Sequence, residues 1–295
     1  MTCYRPLVAY KNDEGNVVFN KPYAFARAFN LPCGQCIGCR LNYSRQWAVR
    51  CMHESAMHES NSFITLTFDE DNLWERTNPM SLDVTEFQRF MKRLRKRVGK
   101  KIRFFHCGEY GEKNKRPHYH ALIFGYDFDD KELWSKREGI ELHVSDELKE
   151  LWPYGFSTIG HVTYQSAAYC SRYIMKKQRG EASEDYYTWI DDAGEIRKRV
   201  PEYCTMSRRE GIGHDWFQKY KKDVYPHDYV VVNGKQMKPP RYYDNLLSET
   251  ELEEIKNKRR HAIEDVIINY DDKMQRLFDK EELKRYKIER LVREL

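Results

Sequence analysis

His118 and His120 flank Tyr119 at the start of an apolar run that extends from Arg116 to Phe124. On a strand, period-two alternation turns both imidazoles to the same face, which makes two points of a metal site. Upstream, Phe104 to Glu109 reads as a second strand, and the polar stretch from Tyr110 to Arg116 reads as its hairpin connection. Glu109 then lies across from the histidines, with Glu112 and His106 as rival third donors. Two neutral imidazoles and a carboxylate suit Mn²⁺ or Mg²⁺ with positions left open for a substrate phosphate. The competing reading is a solvated histidine pair on an edge strand, because a motif this short matches often by chance.

Ser166 to Lys177 reads as a helix with Ser166 as its N-cap. Tyr169 and Tyr173 are four apart and share one helical face, and Lys176 continues nearly the same line, with Lys177 beside it. A phenol with its ordinary pKa of about 10 is a weak nucleophile, but next to a metal-activated phosphate and a cation it can attack phosphorus. The plainer reading is that Tyr169, Tyr173 and Ile174 pack onto a sheet.

A second candidate metal site opens the chain. Cys33, Cys36 and Cys39 crowd three thiols into seven residues, and Gly34 and Gly38 permit the tight turns that wrap an ion. This spacing favours a structural Zn²⁺ over disulfides in a reducing compartment. The fourth ligand must come from elsewhere: Cys3 first, with Cys51 or His53 behind it.

The 295 residues allow one elaborated domain or two, and the composition, 33% charged and 40% hydrophobic, is that of a polar globular protein. No apolar run approaches a membrane span and the N-terminus lacks a signal-peptide layout, so no membrane partner and an intracellular location are expected. Net charge is +5, but nine basic residues and no acidic one lie between Arg89 and Arg103. Arg89, Lys92, Arg93, Lys96 and Arg97 are the candidate DNA-binding residues. A solvated helix face explains such a run equally well.

The elements that must position these groups follow from the same patterns. Leu41 to Glu59 reads as a helix and Ser62 to Phe68 as the first clear strand, its threonines on one face. Asp83 and Glu86 form a capping pattern for a helix that stops at Gly99, with Val84, Phe87, Phe90, Met91, Leu94 and Val98 as its apolar stripe. An acidic, aromatic insertion spans Tyr126 to Gly155, and Phe156 to Tyr164 returns to strand alternation. The expected fold class is α+β, an antiparallel sheet backed by helices. The expected segments are a Cys-rich entry over 1–60, a core over 61–180, an aromatic and basic extension over 181–247, and a helical tail over 248–295. The tail is one helix or two, breaking near Asn269 to Asp272, and suits dimerisation, a host partner or packing on its own domain. In the extension, Tyr186 to Trp189 and Tyr242-Tyr243 can stack bases or pack inward, and inward packing is favoured.

Taken in order, the strand from Phe63 to Phe68, His118-Tyr119-His120, and Tyr169-x-x-x-Tyr173-x-x-Lys176-Lys177 resemble the three motifs of the HUH endonucleases that initiate rolling-circle replication. The two-tyrosine helix is similar to the initiators of the Microviridae. The Cys33 to Arg40 and Cys107 to Glu112 segments look most like the gokushovirus branch. The resemblance covers about Pro32 to Lys177. It implies an RRM-like or ferredoxin-like palm and a metal-dependent site-specific nickase and strand transferase. It implies attack by Tyr169 or Tyr173 to leave a 5′-phosphotyrosine, with Lys176 or Lys177 assisting. The implied partners are single-stranded origin DNA and a host helicase and polymerase, in the cytoplasm of a bacterial host. Two alternatives stay open: a related HUH transposase or relaxase, and a non-catalytic zinc-stabilised nucleic-acid-binding module.

Overall fold

The computed structural model describes residues 3–176, 182–191, 193–225, 227–264 and 274–290, and it divides into two units, 1–44 with 253–294 and 45–252. In the first unit β1 (Leu7–Lys11), β2 (Val17–Val18) and β3 (Phe29–Leu31) make an antiparallel sheet in the order β2-β1-β3. Gly15, with φ +80°, closes the turn between β1 and β2, and its N–H bonds Asn12 O at 2.9 Å. Helix α1 (Ile37–Ser55) follows the cysteines directly and carries the chain into the second unit.

The second unit contains, in order, β4 (Asn61–Leu66), α2 (Glu70–Trp74), α3 (Val84–Val98), β5 (Arg103–Tyr110), β6 (Pro117–Phe124), β7 (Glu132–Arg137) and β8 (Ile140–Val144). It continues with α4 (Asp146–Leu151), β9 (Ser157–Gly160), α5 (Tyr164–Lys176), α6 (Ala182–Tyr187), β10 (Thr188–Ile190), β11 (Ile196–Lys198) and β12 (Tyr203–Met206). Helix α7 (His214–Val224), β13 (Val230–Val232), β14 (Lys235–Met237) and α8 (Arg241–Asp244) complete it. Seven of the strands form one antiparallel sheet in the order β12-β5-β6-β4-β9-β8-β7. The α+β class with helices backing an antiparallel sheet is therefore the observed one.

Strand alternation separates two cores. One face of the sheet sends Ile64, Leu66, Tyr119, Ala121 and Ile123 against Phe87, Phe90, Met91 and Leu94 of α3. The other sends Phe63, Phe105, Cys107, Leu122 and Phe124 against Ala48 and Cys51 of α1 and Ala167 and Cys170 of α5. A buried ion pair locks the second layer: Arg103 pairs with Glu54, whose other oxygen accepts the Gly213 N–H at 2.6 Å. Burial opposes ionisation of Glu54, but hydrogen bonds from His58, Gly213 and Arg103 outweigh it and hold its carboxyl below the usual range.

Helix α3 starts and stops where its sequence indicates: Asp83 Oδ1 accepts the Thr85 N–H at 2.8 Å, and Gly99 at φ 69° ends it. Glu86 does not close the expected capping box. It pairs instead with Arg76 at 2.7 Å and accepts the Tyr119 hydroxyl, because an arginine and a buried phenol reach it. The tyrosine helix begins at Tyr164, two residues before the expected cap. Thr163 is its N-cap, with Ser166 N–H donating to Thr163 Oγ1 at 3.1 Å and Thr163 N–H to Ser166 Oγ at 2.8 Å. The reciprocal pair truncates the preceding strand, which ends at Gly160 rather than Tyr164. The insertion from Tyr126 to Gly155 supplies the β7–β8 hairpin and α4.

In the extension, Tyr187 and Tyr243 are buried, the latter stacked on Phe217 at 4.8 Å, which is the inward-packing arrangement. The tail forms α9 (Glu249–Glu264) and α10 (Met274–Glu289), and the expected break lies outside the described residues. Within the first unit, Glu281 of α10 is buried and pairs with Arg5 at 2.7 Å and Arg285 at 3.0 Å.

Candidate functional site

Register fixes which side chains can meet. Between β5 and β6, Glu109 stands opposite His118 and Cys107 opposite His120, so Glu109 and both histidines share one sheet face. On the neighbouring strand Thr65 stands opposite His120. His120 Nε2 meets Glu109 Oε1 at 2.8 Å, and its Nδ1 meets Thr65 Oγ1 at 3.0 Å. His118 Nδ1 donates to Arg116 O at 2.8 Å, which fixes the tautomer and leaves the Nε2 lone pair for a ligand. Burial first, and then the nearby His120, depress the His118 pKa, so the ring is held neutral.

Two glycines shape this corner. A Cβ at Gly111 would lie 3.1 Å from His118 Cε1, so the absent side chain leaves room for the imidazole. Gly108 does the same on the reverse face, where a Cβ would meet Leu82 and Tyr203 at 3.1 Å. His106, the rival donor, belongs to that reverse face. It is fully buried, stacks on Phe87 at 3.6 Å and bonds Thr205 Oγ1 at 2.9 Å. Alternation excludes it from the Glu109 side.

Helix α5 brings Tyr169 over the same face. Its ring stands edge-on to His120 at 5.1 Å, and its hydroxyl is 3.4 Å from Glu109 Oε1. The backbone of Tyr173 and Lys176 continues the helix, while their side chains, and Lys177 as a whole, lie outside the described residues. The donor set of His118, His120 and Glu109 fits a hard divalent ion by its chemistry, two neutral imidazoles and a carboxylate. The three do not close to mutual distances within 4.8 Å, the spacing reached among the described residues by two other groups.

One of those groups is Cys3, Cys33, Cys36 and Cys39. Cys3 Sγ lies 3.7 Å from Cys33 Sγ and 3.8 Å from Cys36 Sγ. A tetrahedron with Zn–S bonds of about 2.3 Å has edges of about 3.8 Å, so the four thiols are spaced for zinc. Burial works against the Cys36 thiolate, but the backbone N–H groups of Cys39 and Tyr4 and the neighbouring thiols bring its pKa down to about 6. The alternative fourth ligands sit elsewhere: Cys51 is fully buried in the α1–sheet core, and His53 bonds Tyr243 Oη at 2.8 Å and stacks on Trp216. The other group, Glu210, His214 and Asp215, is a surface ion-pair cluster.

A profile of the replication-associated protein family of the ORF2 type matches residues 61–178. Replication-associated protein VP4 of Bdellovibrio phage phiMH2K is 34% identical over 259 residues, covering 83% of this chain and 76% of that one. Replication-associated protein ORF2 of Spiroplasma virus 4 is 31% identical over 287 residues, covering 88% of this chain and 86% of that one. The chain belongs to this family of phage replication-associated proteins. Replication-associated protein ORF4 of Chlamydia phage 1 is 32% identical over 229 residues, covering 75% of this chain and 54% of that one. No solved structure matches.

In this replication-associated protein the profile-matched segment contains Thr65, Glu109, His118, His120 and Tyr169, and the cysteine cluster lies outside it. The basic helix α3 is matched too, but it packs on the face of the sheet opposite the histidines. Arg97 pairs with Glu150 at 2.9 Å and Arg93 Nε donates to Leu151 O at 2.9 Å, both towards α4, while Arg89, Lys92 and Lys96 are exposed. The sheet thus separates the α3 cations from the Glu109–His120 pair. Thr65 was legible only as one of several threonines on a strand, and its contact with His120 depends on register. No helix among the described residues is long and apolar enough to cross a membrane.

Proposed function

We propose that this chain initiates phage DNA replication by nicking origin DNA through a tyrosine and later rejoining the ends to release circular single strands. The observation that carries the reading is Tyr169 Oη at 3.4 Å from Glu109 Oε1, the same oxygen that holds His120 Nε2 at 2.8 Å. A nucleophile, an acceptor for its proton and an imidazole therefore meet on one sheet face.

His118, His120 and Glu109 would hold Mn²⁺ or Mg²⁺, which when bound supplies Lewis-acid polarisation of a scissile phosphate. Tyr169 Oη attacks phosphorus, the bond from phosphorus to the 3′-oxygen breaks, and the phenol proton passes towards Glu109. The departing 3′-oxygen takes a proton from Lys176 or Lys177. The phosphoester is conserved as a 5′-phosphotyrosine, so rejoining needs no ATP. Tyr173 serves the second cleavage, after which the free 3′-hydroxyl attacks the first phosphotyrosine and closes a circle. Thr65, on His120 Nδ1, orients the ring.

A strand must be single-stranded locally to enter such a site. The chain has no Walker-type phosphate loop, so a host helicase opens the duplex and a host polymerase extends the 3′-end, in the bacterial cytoplasm. The four cysteines hold a structural Zn²⁺.

Incubation with Mn²⁺ and labelled single-stranded circular DNA of the same replicon tests the reading on a denaturing gel. The expected result is a protease-sensitive labelled band, lost with EDTA. Wild-type protein that binds this DNA and forms no adduct with any divalent ion would leave a zinc-stabilised binding module instead.

A further inference from the structure

At the end of β5 remote from Glu109, a cleft of about 500 Å³ is lined by Arg95, Lys101, Arg103, Arg208 and Arg209 over a floor that includes Phe104 and Met206. The lining contains no acidic residue. Arg103 is neutralised by Glu54, but Lys101, Arg208 and Arg209 are exposed and have no acidic partner among the described residues. Arg95 is held in place by a bond from Nη2 to Ile102 O at 3.1 Å and by its position over Phe104, and it too has no acidic partner among the described residues. The nearest acid in sequence, Glu210, is drawn to His214 at 3.0 Å.

Elsewhere on this unit surface cations are commonly matched: Arg97 with Glu150, Lys136 with Glu141, Lys198 with Glu184 and Lys221 with Glu251. Four unmatched cations around one concavity repel one another unless a polyanion sits among them. They come from three separate places in the chain, the end of α3, the start of β5 and the segment after β12, which the register of Met206 with Phe105 brings together.

We infer that this cleft binds the phosphate backbone of the duplex arm flanking the nick, as an anchor distinct from the tyrosine site. The inference rests on the nucleic-acid reading proposed above. From Arg103 to Glu109 the strand rises six residues, about 20 Å at about 3.4 Å per residue. At about 3.4 Å per base pair along the duplex axis this is about six base pairs, so the anchored phosphates lie about that far from the scissile one. The anchor lies along the outer edge strand β12, past which a duplex can run without crossing the sheet.

The test is fluorescence anisotropy of labelled DNA carrying a single-stranded nick site and a duplex arm of increasing length, in EDTA so that no cleavage enters the measurement. Wild-type affinity rises once the arm passes about six base pairs. The triple variant Lys101→Ser, Arg208→Ser, Arg209→Ser loses that rise, and its slope of log affinity against log salt shallows by about three, one per cation. The charge-keeping triple Lys101→Arg, Arg208→Lys, Arg209→Lys restores both, which separates charge from folding. Equal arm-length dependence and equal salt slopes in wild type and the serine variant overturn the anchor while leaving the nickase reading standing. No binding of any of these DNAs by wild-type protein overturns the nucleic-acid reading itself.

Discussion

The hydroxyl of Tyr119 accepts the backbone N–H of Asp83 at 2.9 Å, so the residue that separates the two histidines ties the reverse face of their strand to the N-cap of α3. The same hydroxyl donates to Glu86, and the ring is fully buried. Pleating gives one tripeptide two duties: His118 and His120 face the candidate site while Tyr119 anchors the strand that presents them.

Tyr119→Phe removes that anchor with almost no change in shape. It leaves the Asp83 N–H and the Glu86 carboxylate each short of a partner inside the protein, at a cost of about 1–3 kcal/mol. Urea unfolding should show the loss as a lower midpoint with an unchanged slope. An unchanged midpoint would mean that water replaces the hydroxyl without penalty.

The pH dependence of stability should carry the signature of His53. Burial lowers its pKa to about 3 in the folded chain, against an ordinary value of about 6.5. Between those values the unfolded chain binds the proton and the folded one does not, so stability falls as pH drops from about 6.5 towards 3, by about 1.4 kcal/mol per pH unit. Tyr243 and Trp216 are the groups that face the ring. His53→Phe should keep the stack, lose the hydrogen bond and flatten this limb. A slope that persists in the variant assigns it to other groups.

Gly111→Ala probes the room left for His118. The added methyl pushes the imidazole by a few tenths of an ångström, which should weaken Mn²⁺-supported adduct formation several-fold while thermal unfolding stays within about 0.5 kcal/mol of wild type. Equal activity would show that the ring position is not critical.

The cysteine cluster predicts one zinc per chain by elemental analysis of protein purified without chelators. Cys3→Ser should reduce that occupancy and lower the thermal midpoint, since structural zinc contributes directly to folding. Full zinc content in Cys3→Ser would remove Cys3 from the ligand set.

Much of this was legible in the sequence because it depends on local chemistry. Asp83 and Gly99 bound α3, His118 and His120 share a face by alternation, and three closely spaced cysteines needed one more thiol. What was not legible depends on distant pairing. Thr65 meets His120 because two strands 55 residues apart in sequence come into register. The placement of α3 on the far face follows from its apolar stripe, but only the sheet order shows that the histidines point the other way. Arg208 and Arg209 carried no signal, since their partners in the cleft belong to other elements. Ser166 was read as a cap because serine caps helices, yet Thr163 three residues earlier competed for that role and took it.

The central claim is that a tyrosine of α5 becomes covalently linked to DNA. Trypsin separates the candidates, because cleavage after Lys149 and Arg172 puts Tyr169 on the peptide Glu150–Arg172 and Tyr173 on Tyr173–Lys176. After Mn²⁺-dependent reaction with a single-stranded origin oligonucleotide, nuclease trimming and mass spectrometry, the account predicts a nucleotide 5′-phosphate on Glu150–Arg172, absent in Tyr169→Phe. Nucleotide only on Tyr173–Lys176 would contradict the assignment of first attack to Tyr169, and nucleotide on neither peptide would contradict the account as a whole.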